Sequence, residues 1–153
     1  MWGKVLIIDA LLPAPGDQDL RSRQEDTLLL TWEQRRWVRG RLTTTSGRKI
    51  GLALPTGTTL APDAILWIAP DWYLRVEALA EPILEITPRD TEEAVKIAFE
   101  VGNRHYPLAM RGNNLQVPDD LAMTRLLERL CVAWVRRQAI FNPLGNTQAH
   151  PHG

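Results

Sequence analysis

The sequence predicts an α+β protein: a small all-β N-terminal domain, a ferredoxin-like (split βαβ) C-terminal domain, and a flexible tail. Three observations carry that reading. The first half is written in short apolar runs and two-residue alternation, whereas the second turns to helical spacing. Turn residues punctuate the first half at short intervals: Pro55, Gly57, Pro62, Asp63, Pro70 and Asp71. The second half runs strand, helix, strand, strand, helix. The expected boundaries are 1–76 for the β-rich domain, 77–142 for the ferredoxin-like domain and 143–153 for the tail.

Taken in order, "KVLII" and "TLLLT" are apolar strands, and "RWVRGRLTTT" alternates polar with apolar up to a turn at Ser46-Gly47. "RKIGLALP" completes a hairpin, and "AILWIA" and "WYLRVEAL" supply further strands of a small sandwich or barrel. Five of the six tryptophans lie in this half: Trp2, Trp32, Trp37, Trp67 and Trp72. "ILEITP" opens the second half as a strand. Asp90 or Thr91 then caps a helix, and Glu93 three residues after Asp90 gives a capping-box pattern. Ala94, Ile97, Ala98 and Val101 share one face of that helix. Gly102 falls where a left-handed C-terminal residue belongs, and Asn103 tolerates the same geometry. "YPLAM" and "NLQVP" read as strands joined at Arg111-Gly112-Asn113, with Pro107 early in the first, where a missing N–H is tolerated. A longer helix starts near Asp119 or Asp120 and carries apolar residues from Leu126 to Val135, with Arg136 and Arg137 at its end. A short final strand at 139–141 completes the arrangement, and "NPLGNTQAHPHG" has no periodicity.

The totals limit what such a chain can do. Its 18 basic and 18 acidic side chains cancel, which is not the electropositive footprint of a nucleic-acid binder. The run "VLIIDALLPAP" is too short to span a bilayer and is broken by Asp9 and Pro13, so a cytoplasmic protein is expected. The single cysteine, Cys131, excludes an internal disulfide and a cysteine-based zinc site, and its helical spacing to Leu127, Leu130, Trp134 and Val135 reads as a buried small hydrophobe. No nucleophile–His–acid spacing and no Gly-rich phosphate loop is present, so no enzyme is expected.

The histidines are His105, His150 and His152. His105 follows a helix end and is displayed from a rigid support. Taken alone it reads first as a plain structural residue, a donor to a carbonyl or a partner for the negative end of the helix dipole, ahead of a functional one. His150 and His152 flank Pro151 in a segment with no packing role, and short His tracts are metal-binding candidates. One imidazole holds a divalent ion loosely. Two copies of His105 meeting across a two-fold axis supply two nitrogens, to which tail histidines add. Such a partly hydrated imidazole site suits nickel, copper or zinc. Imidazole ligates only when neutral, so uptake through histidines falls as pH drops through about 6.5.

The segment "VGNRHYPL" closely resembles the GNRH-x-P-L signature of the urease accessory nickel metallochaperones, the UreE family. "RGRLTTTSGRKIGLALPTGTTLAPDAIL" resembles that family's N-terminal hairpin and following loop, and "LEITPRDTEEAVKIAFEVGNRHYPLAM" with "NLQVPDDLAMTRLLERL" resembles its metal-binding domain. "FNPLGNTQAHPHG" resembles its Phe-x-Pro, Gly and terminal His pattern, so the likeness covers nearly the whole chain. The resemblance implies a homodimer that binds Ni(II) between C-terminal domains and delivers it to apo-urease with the other accessory proteins, including the GTPase. Zn(II) or Cu(II) are expected to bind in vitro. It implies an interface ligand at His105, tail ligands at His150 and His152, and supporting roles for Gly102, Asn103, Arg104 and Pro107. The tail carries two histidines and "NLQVPDDLA" carries none, which implies a lean carrier rather than a nickel store.

The competing reading is a metal-independent dimeric module whose β-half binds peptide. Arg36, Arg39 and Arg41 beside Trp37 suit an acidic partner, and equally a solvated sheet face. An RNA-binding ferredoxin-like domain would need exposed aromatics on its central strands, and "YPLAM" and "NLQVP" offer only Tyr106.

Overall fold

The computed structural model describes residues 4–13 and 20–145. Its strands are β1 (Leu6–Ile8), β2 (Gln24–Leu30), β3 (Arg39–Thr43), β4 (Lys49–Ala53), β5 (Ile65–Ile68), β6 (Trp72–Ala78), β7 (Ala80–Thr87), β8 (Ala109–Arg111), β9 (Asn114–Pro118) and β10 (Ala133–Ile140). The helices are α1 (Thr91–Asn103) and α2 (Leu121–Leu130), and Gln34–Arg36 form a single 3-10 turn. The chain divides into two compact units, the first ending at Leu79 and the second spanning Ala80–Gly145. The division lies after Leu79, not after residue 76, because β6 stays paired with β2 as far as Ala78 opposite Leu30, and Leu79 N donates to Leu30 O at 2.9 Å.

The first unit is all-β, with two three-stranded sheets among its described residues, ordered β1-β4-β3 and β2-β6-β5. Alternation along β2, β4 and β6 turns Leu28, Leu30, Ile50, Leu52, Leu74 and Val76 into one buried cluster with Ile8, Leu54, Leu60 and Leu66. Each such side chain contributes roughly 1.5–3 kcal/mol by leaving water. The hairpin expected at Ser46-Gly47 is β3–β4, and Gly47 takes φ 96°, a conformation that favours glycine. Its turn is held by the buried Asp26 of β2. That carboxylate accepts from Thr44 Oγ1 at 2.7 Å, Ser46 Oγ at 2.6 Å and Arg48 Nη1 at 2.8 Å. Burial alone would raise the Asp26 pKa, but the bonds from Ser46, Thr44, Arg48 and the Thr27 N–H outweigh it and hold the group well below its ordinary 3.8.

One strand starts later than its alternation suggests. Residues 36–38 are not strand, because Thr31 and Gln34 form a reciprocal cap, Thr31 N donating to Gln34 Oε1 at 2.9 Å and Gln34 N to Thr31 Oγ1 at 3.2 Å. The 3-10 turn Gln34–Arg36 follows that pair of bonds, and β3 begins only at Arg39.

The second unit is β7-α1-β8-β9-α2-β10 with an antiparallel sheet ordered β10-β7-β9-β8, which is the ferredoxin-like arrangement. Leu84, Ile86, Leu115 and Val117 on the sheet pack against Ile97 and Val101 of α1 and Met123, Leu126 and Leu127 of α2. Both helix starts are capped as expected: Asp90 accepts from Glu93 N at 2.8 Å and Asp120 from Met123 N at 3.0 Å. The capping box is not closed, however. The Glu93 carboxylate turns to Arg89, accepting from its backbone N at 3.2 Å and its Nε at 2.6 Å.

Three expectations are corrected at the helix ends. The second helix stops at Leu130, and residues 133–140 pair with all of β7, from Ala133 opposite Thr87 to Ile140 opposite Ala80. Arg136 and Arg137 therefore lie on a strand. Cys131 is exposed and left-handed at φ 55°, not a buried helical residue. Its N–H bonds Glu128 O at 3.1 Å while Val132 N reaches back to Leu127 O at 3.4 Å, the double bond pattern that ends a helix. Finally, Gly102 is not the left-handed residue of α1. The helix runs through Asn103, and the left-handed position falls on His105.

Candidate functional site

His105 is built by the way α1 ends. Arg104 follows the helix at φ −94°, and His105 takes φ 60°. Its N–H donates to Gly102 O at 2.9 Å, and Tyr106 N reaches back to Val101 O at 3.2 Å. This is the same closure as at Cys131, and glycine is the usual occupant of its left-handed position. The imidazole-bearing residue is exposed, whereas the next residue, Tyr106, packs against the core that contains Val101.

The neighbours hold this turn firmly. Tyr106 Oη donates to Asp120 Oδ2 at 2.8 Å, so the carboxylate that caps α2 also clamps the residue after His105. That bond, followed by burial and the Asp120 charge, raises the Tyr106 pKa. Arg104 turns back along α1. Its Nη1 bonds Glu100 O at 2.9 Å and the Glu100 carboxylate at 2.6 Å, tying the last turn of α1 together. Pro107 is half-buried between this turn and β8, and Gly102 and Asn103 are exposed in the last turn of α1.

The face of α1 turned away from the core is unusual for a solvated helix. Val95 is 62% exposed and Phe99 68%, and Gly102 continues the same stripe at i, i+4, i+7. A Cβ added to Gly102 would meet nothing within 4 Å, and its φ is not positive, so nothing within the chain demands glycine there. Sequence reading missed this stripe by attending to the core face alone, although the Val95–Phe99–Gly102 spacing was available to it.

A second feature concerns the root of the tail. β10 ends at one edge of the sheet, yet Leu144 N donates to Leu108 O at 2.7 Å, immediately before β8 at the other edge. Phe141, at the start of this strap, is fully buried. The chain thus crosses the sheet before Gly145 and arrives three residues from His105 in sequence. His150 and His152 lie outside the described residues. Among the described residues, no group of three or more His, Cys, Asp or Glu side chains is assembled to hold a metal ion.

An all-β unit followed by a ferredoxin-like unit is an α+β architecture that many functions share, and comparison with known proteins makes the class specific. The family model described as UreE urease accessory protein, N-terminal domain, matches residues 8–79, and that described as UreE urease accessory protein, C-terminal domain, matches residues 81–153. Proteins named urease accessory protein UreE are similar to it. That of Synechococcus sp. (strain JA-3-3Ab) is 39% identical over 114 residues, covering 74% of this chain and 76% of the relative. That of Parasynechococcus marenigrum is 33% identical over 156 residues, covering all of both chains. The chain belongs to the UreE family of urease accessory proteins.

Proposed function

We propose that this protein is a nickel metallochaperone of urease maturation, not a catalyst, working as a homodimer in the cytoplasm. Two copies approach along the α1 stripe, their His105 side chains bind one Ni(II) at the shared axis, and His150 or His152 completes the ligand set. The ion is cargo, handed to apo-urease together with the other accessory proteins, including the GTPase. Gly102, Asn103, Arg104 and Pro107 shape the turn that presents His105.

The observation that carries this reading is His105 in a left-handed turn at the end of an unpartnered apolar stripe. Exposed Val95 and Phe99 gain by burial against a second copy, and Gly102 allows two helix backbones to come close. The ligand chemistry fits: neutral imidazoles suit nickel, and also zinc or copper. The strap supports the tail's part. Four residues, and so five steps of the chain, separate Gly145 from His150, a span of at most roughly 17 Å.

Calorimetric titration of Ni(II) into the full chain at neutral pH tests this. The expected result is about one ion per dimer, with binding abolished in His105→Ala and weakened when both tail histidines are replaced. Equal heat from His105→Ala and the wild type would remove His105 as a ligand. Little heat from either would favour the metal-independent module.

A further inference from the structure

Among the described residues β3 is an open sheet edge, because the order β1-β4-β3 leaves its outer side without a neighbour. Which groups face outward follows from the register. Leu54 N donates to Val38 O, and Thr44 N to Arg48 O, so the even residues 38, 40, 42 and 44 form the hydrogen-bonded pairs with β4. The N–H and C=O groups of Arg39, Arg41 and Thr43 therefore point away from the sheet. The open length ends at Thr45, whose N–H bonds Thr27 O of β2 at 2.9 Å. It accommodates about five residues of an added strand.

The side chains along this edge are sorted by the pleat. Arg39 and Arg41 are exposed on one face, and neither takes part in an ion pair among the described residues. Leu42 faces the opposite way, packing against the core. On that side Trp37 lies over Gly40, where an added Cβ would come within 3.2 Å of the indole, and the ring remains 41% exposed. Two guanidiniums with no ion pair among the described residues thus flank one face of the open ladder and a half-bare aromatic the other.

We propose that the outer edge of β3 binds an extended segment of a protein partner in which acidic and apolar residues alternate. The added strand completes the ladder through Arg39, Arg41 and Thr43. Its acidic side chains meet Arg39 and Arg41, and its apolar ones pack beside Trp37. Charge decides among occupants. A second copy of β3 would set arginine against arginine, which is unfavourable, so the same residues that reject self-pairing select an acidic strand. A single-stranded nucleic acid would satisfy the charges but leave the outward N–H and C=O ladder unpaired.

The test is fluorescence anisotropy with the full chain and a labelled Val-Glu-Val-Glu-Val-Glu-Val peptide. Three comparison ligands accompany it: the same peptide with Lys in place of Glu, the peptide N-methylated at alternate backbone nitrogens, and an oligothymidylate. Binding of the acidic peptide is expected to weaken about tenfold or more in the Arg39→Glu/Arg41→Glu variant and on N-methylation. The Lys peptide and the oligothymidylate are expected not to compete. Absence of binding, equal affinity of the N-methylated peptide, or equal competition by the oligothymidylate would each overturn the proposal. The N-methylation arm leaves the protein unaltered, so misfolding of the variant cannot decide the outcome. His105→Ala is expected to bind the peptide as the wild type does, which keeps this result separate from the nickel reading.

Discussion

At His105 the backbone and the side chain want different things. A left-handed φ of 60° costs a non-glycine residue about 1 kcal/mol, and here the cost is accepted at the one histidine among the described residues. Cys131 holds the equivalent position at the end of α2 and makes a natural control. Replacing either residue by glycine is expected to raise the unfolding midpoint by about 4 °C, read by calorimetric melting of the apo protein. Nickel heat should vanish only in His105→Gly; if Cys131→Gly removes it too, the assignment of His105 fails. Gly102 poses the converse problem. Gly102→Ala should stabilise α1 by about 0.5–1 kcal/mol, since the new methyl meets nothing within the chain. The same substitution should weaken self-association in sedimentation velocity, because the methyl would stand between two helices. An unchanged dimer would mean that the copies do not meet at this stripe.

The elements show what local pattern can and cannot fix. Helix starts were legible because Asp90 and Asp120 satisfy orphan N–H groups within three residues, a purely local transaction. The strand content of the first unit was legible from alternation. The end of α2 was not. "LCVAWVRR" fits a helical period as well as a two-residue one, and no glycine or proline divides it. The choice was made by β7, eight residues of which pair with β10, a long-range fact that no window of sequence contains. His105 was legible by its position, whereas its left-handed geometry was not, since Gly102 and Asn103 are better formers of that conformation. At the β3–β4 turn the prediction is energetic. Asp26→Asn removes the charge toward which Thr44, Ser46 and Arg48 are aimed, and should cost about 2 kcal/mol in denaturant unfolding. An effect near zero would mean that the turn is held by its backbone bonds alone.

For the molecule as a whole, the same carboxylate sets a response to acid. Its folded pKa lies below the unfolded value, so its stabilisation is fully present above about pH 4 and is lost as pH falls from there toward the folded pKa. Melting temperatures measured from pH 7 to pH 2 should therefore show the wild type converging on Asp26→Asn at the acid end. Parallel curves across the range would contradict the sign. The strap from β10 to Leu108 has a different kind of consequence. Leu144 is tied beside Leu108, three residues after His105 in sequence, and on the proposed ligand set a tether rooted there raises the local concentration of His150 and His152 without any contact to enforce it. A spacer inserted after Gly145 would leave every described residue untouched, and should weaken nickel uptake if the proposed tail ligands act from that root.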